Sequence, residues 1–320
     1  MPNEAARVAA AALPVIDITH LASSDPAARR QVAEAIRAAC LDKGFFYVVG
    51  HGVQEALIAA AFAETRGFFS QPEAVKAEVD KALSACNRGY ERLRGQTLEP
   101  GAPPDLKEGF YIGVELPPDD PRVAASRFNR GPNQWPAAPE GFRPAMEAYF
   151  QALLALGERL MRGLALSLDL AEDHFEAYCR NPLATLRLLH YPPHPPDAAA
   201  DEKGAGAHTD FGGLTLLMQD DRGGLQVWDA DTGGWIHAPP LPGAYLVNLG
   251  DLITRWTNGR YRSTLHRVVN SSGADRYSIP FFHVGNPDHE VVSLIVGEAA
   301  LYPPTTVEAH LRERYRLSYS

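Results

Sequence analysis

"GAGAHTDFGGLTLL", residues 204–217, sets a histidine and an aspartate two positions apart where a small-residue run gives way to an apolar, β-prone one. In a β-strand the side chains at i and i+2 point to the same face. On that reading His208 and Asp210 converge on one point and Thr209 faces away. A neutral imidazole nitrogen and a carboxylate oxygen together suit a divalent first-row metal. The pair alone proves little, because histidine and aspartate are also common in turns. A metal reading requires a second histidine on another strand, and a reason for the coordination positions left open.

The sequence around this stretch has a consistent texture. From about residue 183 short β-prone runs follow one another: "TLRLLHYP", "GAGAHTDF", "LTLLMQD", "GLQVWD", "GGWIHA", "AYLVNLG", "YRSTLHRVVN" and "RYSIPFFHV". Turn signals such as "DDRGG", "DADTGG", "TNG" and "NSSGAD" separate them. Short strands at such spacing predict a sandwich or barrel, and a double-sheet jelly roll is the natural closed form. Upstream, Asp25-Pro26 opens a helix whose apolar positions Val32, Ile36 and Cys40 run to Gly44. "FFYVVG" (45–50) reads as a strand, and Leu57, Ile58, Ala61, Phe62, Thr65 and Phe69 mark a second helix. Residues 86–121 read as a long loop with one strand near 109–114. A long helix is predicted between 140 and 169, and a C-terminal helix capped by Thr305 or Thr306. The helices are expected on the outside of the β core, which makes residues 1–320 one integrated domain.

The second histidine is His266, in the predicted strand "YRSTLHRVVN". Beyond it, Arg276 and Ser278 share a strand face and offer a charged fork and a hydroxyl, a receptor for a carboxylate. Two histidines and one carboxylate with open positions form the facial arrangement of non-haem Fe(II) oxygenases. A carboxylate receptor on a neighbouring strand then implies a small acid that bridges the two.

This pattern closely resembles the Fe(II)- and 2-oxoglutarate-dependent dioxygenases of the isopenicillin N synthase-like family. Beyond the site, "LPVIDIT" (13–19), "CLDKGFFYVVGHGV" (40–53), "NRGYERLRGQ" (87–96), "PPDLKEGFYIG" (103–113), "LLHYPPHP" (188–195) and "NGRYRSTLHRV" (258–268) look like family segments in family order. The resemblance covers residues from about 13 to 285. It implies a double-stranded β-helix core over 181–287 and an N-terminal dioxygenase region over 13–130. It implies His208, Asp210 and His266 as Fe(II) ligands, with Arg276 and Ser278 on the distal carboxylate of 2-oxoglutarate. O2 is the further cosubstrate, and a C–H bond is oxidised as succinate and CO2 form. Tyr191 stands where relatives place a tyrosine facing the cosubstrate or substrate, and strand spacing puts Leu189 and Arg187 on the same face. Plant relatives usually carry Asn at the position of Leu189 and Tyr at that of His190, so plant-type substrates are disfavoured.

Other residues are read more plainly. His51 is a turn residue; His190, His194, His237, His283 and His289 lack partner spacing and are read as surface or core histidines. Asp251 in "NLGD" is read as a turn residue, with a supporting role behind a ligand as the alternative. Lys107 and Glu108 are read as a solvated ion pair, and Phe211 with the leucines of 211–217 as core. "GAG" before His208 lacks the later residues of a nucleotide fingerprint and precedes a strand.

Composition bounds the partners. The formal charge is −9 over 320 residues, and no basic stripe marks a nucleic-acid surface. No apolar run reaches the roughly 20 residues of a membrane span. The Ala-rich start is read as a frayed or helical lead-in. Cys40, Cys86 and Cys179 match no zinc or disulfide pattern, which points to reduced thiols in the cytoplasm. Between 87 and 111, Arg88, Arg92, Arg94 and Lys107 balance Glu91, Glu99, Asp105 and Glu108, so charge count favours neither sign of substrate. The expected substrate is a compact, partly apolar small molecule; the oligomeric state is not legible. The alternatives are a 2-oxoglutarate-independent Fe(II) oxidase of the isopenicillin N synthase type, an ethylene-forming oxygenase and a non-catalytic ligand sensor.

Overall fold

The structure, a computed structural model, describes residues 13–195, 202–270 and 272–318, with side chains through 316. The expected lead-in at 1–12 lies outside the described residues. Four strands come from the first part of the chain: β1 (Val15–Asp17), β2 (Phe45–Val49), β3 (Gly89–Glu91) and β4 (Glu108–Gly113). The eight expected runs then appear as β5 (Leu183–Tyr191), β6 (Ala205–His208), β7 (Leu214–Gln219), β8 (Leu225–Asp229), β9 (Gly234–His237), β10 (Tyr245–Leu249), β11 (His266–Val268) and β12 (Arg276–Gly285). They form two facing sheets, β1-β2-β10-β7-β12-β5-β4-β3 and β6-β11-β8-β9. The large sheet is antiparallel except where β1 joins β2.

Strand alternation divides the core into two layers. On one face of the large sheet, Leu186, Leu188, Leu216, Val247, Ile279 and Phe281 pack with the helices. Chief among these is Phe142–Ser167, which lays Tyr149, Phe150, Leu153, Leu156 and Leu160 on the sheet side of its apolar stripe. The helices Pro26–Asp42 and Glu55–Phe69 pack against that helix in turn. The intervening residues of the same strands point the other way. Phe45, Tyr47, Leu189, Tyr191 and Leu246 meet Ala205, Leu225, Val227 and Val268 of the small sheet. Helix caps follow the sequence signals: Asp25 accepts from the Ala27 N–H at 2.9 Å, and Thr306 from the Ala309 N–H at 3.2 Å at the start of the C-terminal helix Val307–Ser318.

Two expectations need correction. The 86–121 segment carries β3 as well as β4. Lys107 and Glu108 are not solvated: they are 4% and 6% exposed and belong to different networks. Glu108, first residue of β4, turns to the helix side, where it meets Lys76 Nζ at 2.6 Å, Tyr90 Oη at 2.5 Å and His190 Nδ1 at 2.7 Å. Those contacts hold the Glu108 carboxyl below its ordinary range although burial alone pushes it up. Lys107 turns inward and pairs with Asp105. Phe211, read as core, is partly buried against the core and also lines a cavity beside Asp210.

Candidate metal centre and cosubstrate chamber

The inner layer ends in a small chamber where apolar walls meet a few polar side chains. β6 and β11 are antiparallel with His208 directly opposite His266, and the ring centres are 4.3 Å apart. The strand ends at His208, so Asp210 does not reach the site by strand alternation as the sequence suggested. It stands two residues past the strand end, and its carbonyl accepts the Asp251 N–H at 2.8 Å. Asp251 therefore supports the turn through its backbone, while its carboxylate faces Ser263 and Arg314. Asp210 Oδ1 lies 3.9 Å from His208 Nε2 and 3.8 Å from His266 Nε2. One ligand atom from each of the three residues lies within 4.8 Å of the others, the one such cluster among the described residues.

Hydrogen bonds behind these atoms fix which faces inward. His208 Nδ1 is 2.7 Å from the Gly206 carbonyl and His266 Nδ1 is 3.1 Å from that of Thr264. A carbonyl only accepts, so each Nδ1 carries the proton and each Nε2 presents a lone pair. Burial pushes the His208 imidazole well below its ordinary value, which keeps its ring neutral near pH 7. Asp210 Oδ2 accepts from Asn248 Nδ2 at 2.7 Å and Thr215 Oγ1 at 2.5 Å, leaving Oδ1 for the centre. Although burial opposes ionisation, the positive charge that His266 and His208 carry when protonated, together with these two donors, lowers the Asp210 carboxyl below its ordinary range. Two imidazole nitrogens and one carboxylate oxygen on one side of an open point fit a divalent iron.

Tyr191, Leu189 and Arg187 project into the space between the sheets, as the strand pattern of β5 requires. On β12, Arg276 is paired with Tyr191 and Ser278 with Leu189. A chamber of about 60 Å³ has all three triad residues, Tyr191, Arg276 and Ser278 in its wall. Arg276 is 1% exposed; its Nε donates to the Gly223 carbonyl and its Nη2 to Gln219 Oε1 at 2.9 Å. Its Cζ lies 4.7 Å from the centre of the Tyr191 ring. Nη1 is buried without a hydrogen-bond partner. A buried guanidinium with an orphan N–H in the wall of a small chamber suits the carboxylate of an oxo acid.

A second cavity of about 450 Å³ lies beyond, sharing Leu98, Arg187, His208, Asp210 and Phe282 with the first. Phe211, Tyr111 and Arg88 contribute to it, and Leu311 and Tyr315 of the C-terminal helix close it. Arg187 holds Gln96 and Tyr111, and its guanidinium lies over the Tyr111 ring at 4.3 Å. The other histidines stay outside the centre. His51 bonds the Gly243 carbonyl at 3.0 Å, and His190 lies between Glu108 and Asp275, stacked on Tyr277. Sequence reasoning missed Thr215 and Asn248. The signal was there: an asparagine inside the apolar strand "YLVNL", and a threonine on the inward register of β7.

A jelly roll with such a cluster at its mouth and an acid receptor beside it defines a class, the non-haem oxygenases. Comparison with known proteins gives the family. Residues 13–138 match the N-terminal region described as "non-haem dioxygenase in morphine synthesis", and residues 182–284 match the 2OG-Fe(II) oxygenase superfamily. The 2-oxoglutarate-Fe(II) type oxidoreductase hxnY of Emericella nidulans is 45% identical, over 98% of this chain and 92% of its own. A full-length Neurospora crassa protein, solved in complex with alpha-KG, superposes with a TM-score of 0.83 at 29% identity, covering 95% of this chain and 96% of its own. JOX2, in complex with 2OG, Fe and JA, does so with a TM-score of 0.77 at 32% identity, covering 95% and 84%. The chain belongs to the 2OG-Fe(II) oxygenase superfamily, and it is a 2-oxoglutarate-dependent Fe(II) dioxygenase. Among the described residues no helix is long and apolar enough to cross a membrane.

Proposed function

We propose that His208, Asp210 and His266 hold the Fe(II), and that Arg276 and Ser278 bind the distal carboxylate of 2-oxoglutarate with Tyr191 as the chamber wall. The observation that carries this reading is the buried, unpartnered Nη1 of Arg276, a residue in the wall of the same small chamber as the three ligand residues. Bound iron supplies O2 activation coupled to oxidative decarboxylation of the oxo acid. The protein's residues do the rest. His208 and His266 present Nε2 because backbone carbonyls take the other ring proton. Asn248 and Thr215 turn one Asp210 oxygen inward. Arg276 and Ser278 fix the acid so that its oxo end faces the triad.

The substrate occupies the larger cavity, where Arg187, Tyr111, Phe211 and Phe282 set its orientation. The net reaction takes R–H, O2 and 2-oxoglutarate to an oxidised product, succinate and CO2. Hydroxylation gives R–OH; desaturation or ring closure removes two hydrogens, with water as the further product. A cavity of about 450 Å³ suits a small molecule rather than a polymer. The Neurospora crassa protein is also solved with thymine, and JOX2 with JA, which supports a small metabolite as the substrate class. We further infer one integrated catalytic domain over 1–320, with a dioxygenase region at 13–130 and the jelly roll at 181–287. Support comes from β1 to β4, which extend the same sheet as β5, β7, β10 and β12. The family-ordered segments support the isopenicillin N synthase-like branch, and the free thiols of Cys40, Cys86 and Cys179 support a cytoplasmic setting.

Anaerobic titration of the purified protein with Fe(II), then with 2-oxoglutarate, tests the assignment. His208→Ala, Asp210→Ala and His266→Ala lose iron while staying folded. Arg276→Ala keeps iron and loses roughly 30- to 5,000-fold in 2-oxoglutarate affinity, as expected for breaking a buried charge pair worth ~2–5 kcal/mol. Full iron occupancy in a triad variant, or unchanged oxo-acid affinity in the arginine variant, removes that residue from its role.

A further inference from the structure

We propose that Asp105 and Lys107 are positioning residues for the His208 imidazole, acting through the backbone of Gly206. The inference rests on the reading of His208 as an iron ligand. β6 is the edge strand of the small sheet, only four residues long, and its register with β11 breaks between His266 and Val268. A strand so weakly paired does not by itself hold a side chain to the accuracy a metal ligand needs.

The segment before β4 supplies the missing restraint. Asp105 Oδ1 accepts the Gly206 N–H at 2.8 Å, and Asp105 Oδ2 takes the Lys107 ammonium. The Gly206 carbonyl in turn accepts the His208 Nδ1–H at 2.7 Å. A continuous series of three hydrogen bonds therefore runs from Lys107 to the imidazole. Its ionic end is dry: the Lys107 and Asp105 side chains are 4% and 2% exposed. Lys107 also lines the chamber shared with His208 and Arg276. Its ammonium is the buried partner that holds the Asp105 carboxylate in place there. The glycine is required by the same arrangement. A Cβ on Gly206 would lie 2.6 Å from Glu99 Cβ and 2.9 Å from Glu99 N. The clamping segment lies flush on the strand, and the small residues of "GAGAH" are the imprint of that contact.

Two double variants separate positioning from bulk stability. Asp105→Asn/Lys107→Gln removes both charges but keeps an acceptor for the Gly206 N–H. Asp105→Leu/Lys107→Met fills the space without any acceptor, and leaves no lone buried charge to unfold the protein. Both are checked for folding by circular dichroism, then titrated anaerobically with Fe(II) and 2-oxoglutarate. The apolar pair should bind Fe(II) roughly 10- to 100-fold more weakly, the usual loss when a partner behind a ligand is removed. It should also shift the visible band of the iron–oxo acid complex at saturating metal, which lowered stability alone does not do. The polar pair should recover most of the Fe(II) affinity that the apolar pair loses, with its band closer to that of the wild type. Equal iron affinity and equal bands in the two variants, whether both native-like or both weakened, would overturn the proposal. Unchanged iron binding in His208→Ala would instead overturn the ligand assignment on which it stands.

Discussion

Asn248 Nδ2 and Asp210 Oδ2 are joined by a 2.7 Å hydrogen bond across two strand-linked segments far apart in sequence. Thr215 donates to the same oxygen, so one face of the carboxylate is used up by the protein and the other is left for metal. Replacing Asn248 by Leu, or Thr215 by Val, should lower Fe(II) affinity by roughly 10- to 100-fold. The double replacement should exceed either single one, because the carboxylate is then free to rotate. Both residues are buried, so urea unfolding is measured alongside iron titration. Native iron affinity in the folded double variant would show that Asp210 is oriented by its backbone alone.

The architecture was legible because its signal is local. Apolar alternation within each of eight short runs recurs as β5 to β12, and His208, Asp210 and His266 do converge. What stayed hidden depends on partners distant in sequence. Glu108 looks like half of a local pair with Lys107, yet Glu108, first residue of β4, joins the helix-side network while Lys107, just before the strand, pairs with Asp105. The Glu108 partners Lys76, Tyr90 and His190 come from a helix and two other strands. The charges of 87–111 likewise find partners outside that segment: Lys81 pairs with Glu91, Lys203 with Glu99 and Glu202 with Arg94. The turn after His208 reads as strand in the sequence because strand spacing and this turn place the two side chains alike.

The Glu108 network makes a stability prediction that leaves the chemistry alone. Lys76 is almost fully buried, and Glu73 stands 3.5 Å from it as a weaker partner. Glu108→Ala strips the carboxylate from a buried ammonium, a tyrosine and a histidine at once. The cost should be about 3 kcal/mol, the low end for breaking a buried ion pair, because Glu73 remains. Glu108→Gln should cost less, since its amide oxygen still accepts. Chemical denaturation measures both. Iron and 2-oxoglutarate affinity should not change, because this side chain faces the helices.

Gly206→Ala tests the contact between β6 and the segment that clamps it. The added methyl meets Glu99 Cβ and its backbone nitrogen, neither of which is the far end of a flexible chain. Strand or segment must shift, and such overpacking costs typically 1–3 kcal/mol. The shift falls two residues from His208, so iron affinity should drop together with stability. Gly233→Ala gives the comparison, since its Cβ would meet nothing within 4 Å, though its φ of +65° adds some backbone strain. Loss of stability in both with loss of iron only in the Gly206 variant is the expected outcome. Equal iron binding in the two would show that β6 tolerates displacement.

The acid limit of the fold should depend on His283. Its ring is fully buried against the long helix, both nitrogens lack partners, and burial pushes it down to about 4. In the unfolded chain a histidine titrates near ~6.5. As pH falls below that value the unfolded state takes up a proton that the folded state refuses, so stability declines. The decline continues until pH approaches 4, where the folded ring protonates as well. The window spans two to three pH units, and linkage makes the loss about 3 kcal/mol. His283→Leu removes the titrating group and both unsatisfied nitrogens. Its unfolding free energy should fall less steeply than that of the wild type between pH 6.5 and 4, while the two should show parallel slopes above pH 7. Denaturant titrations at half-unit intervals measure this directly. Identical slopes below pH 6.5 would mean that His283 is already charged in the folded protein.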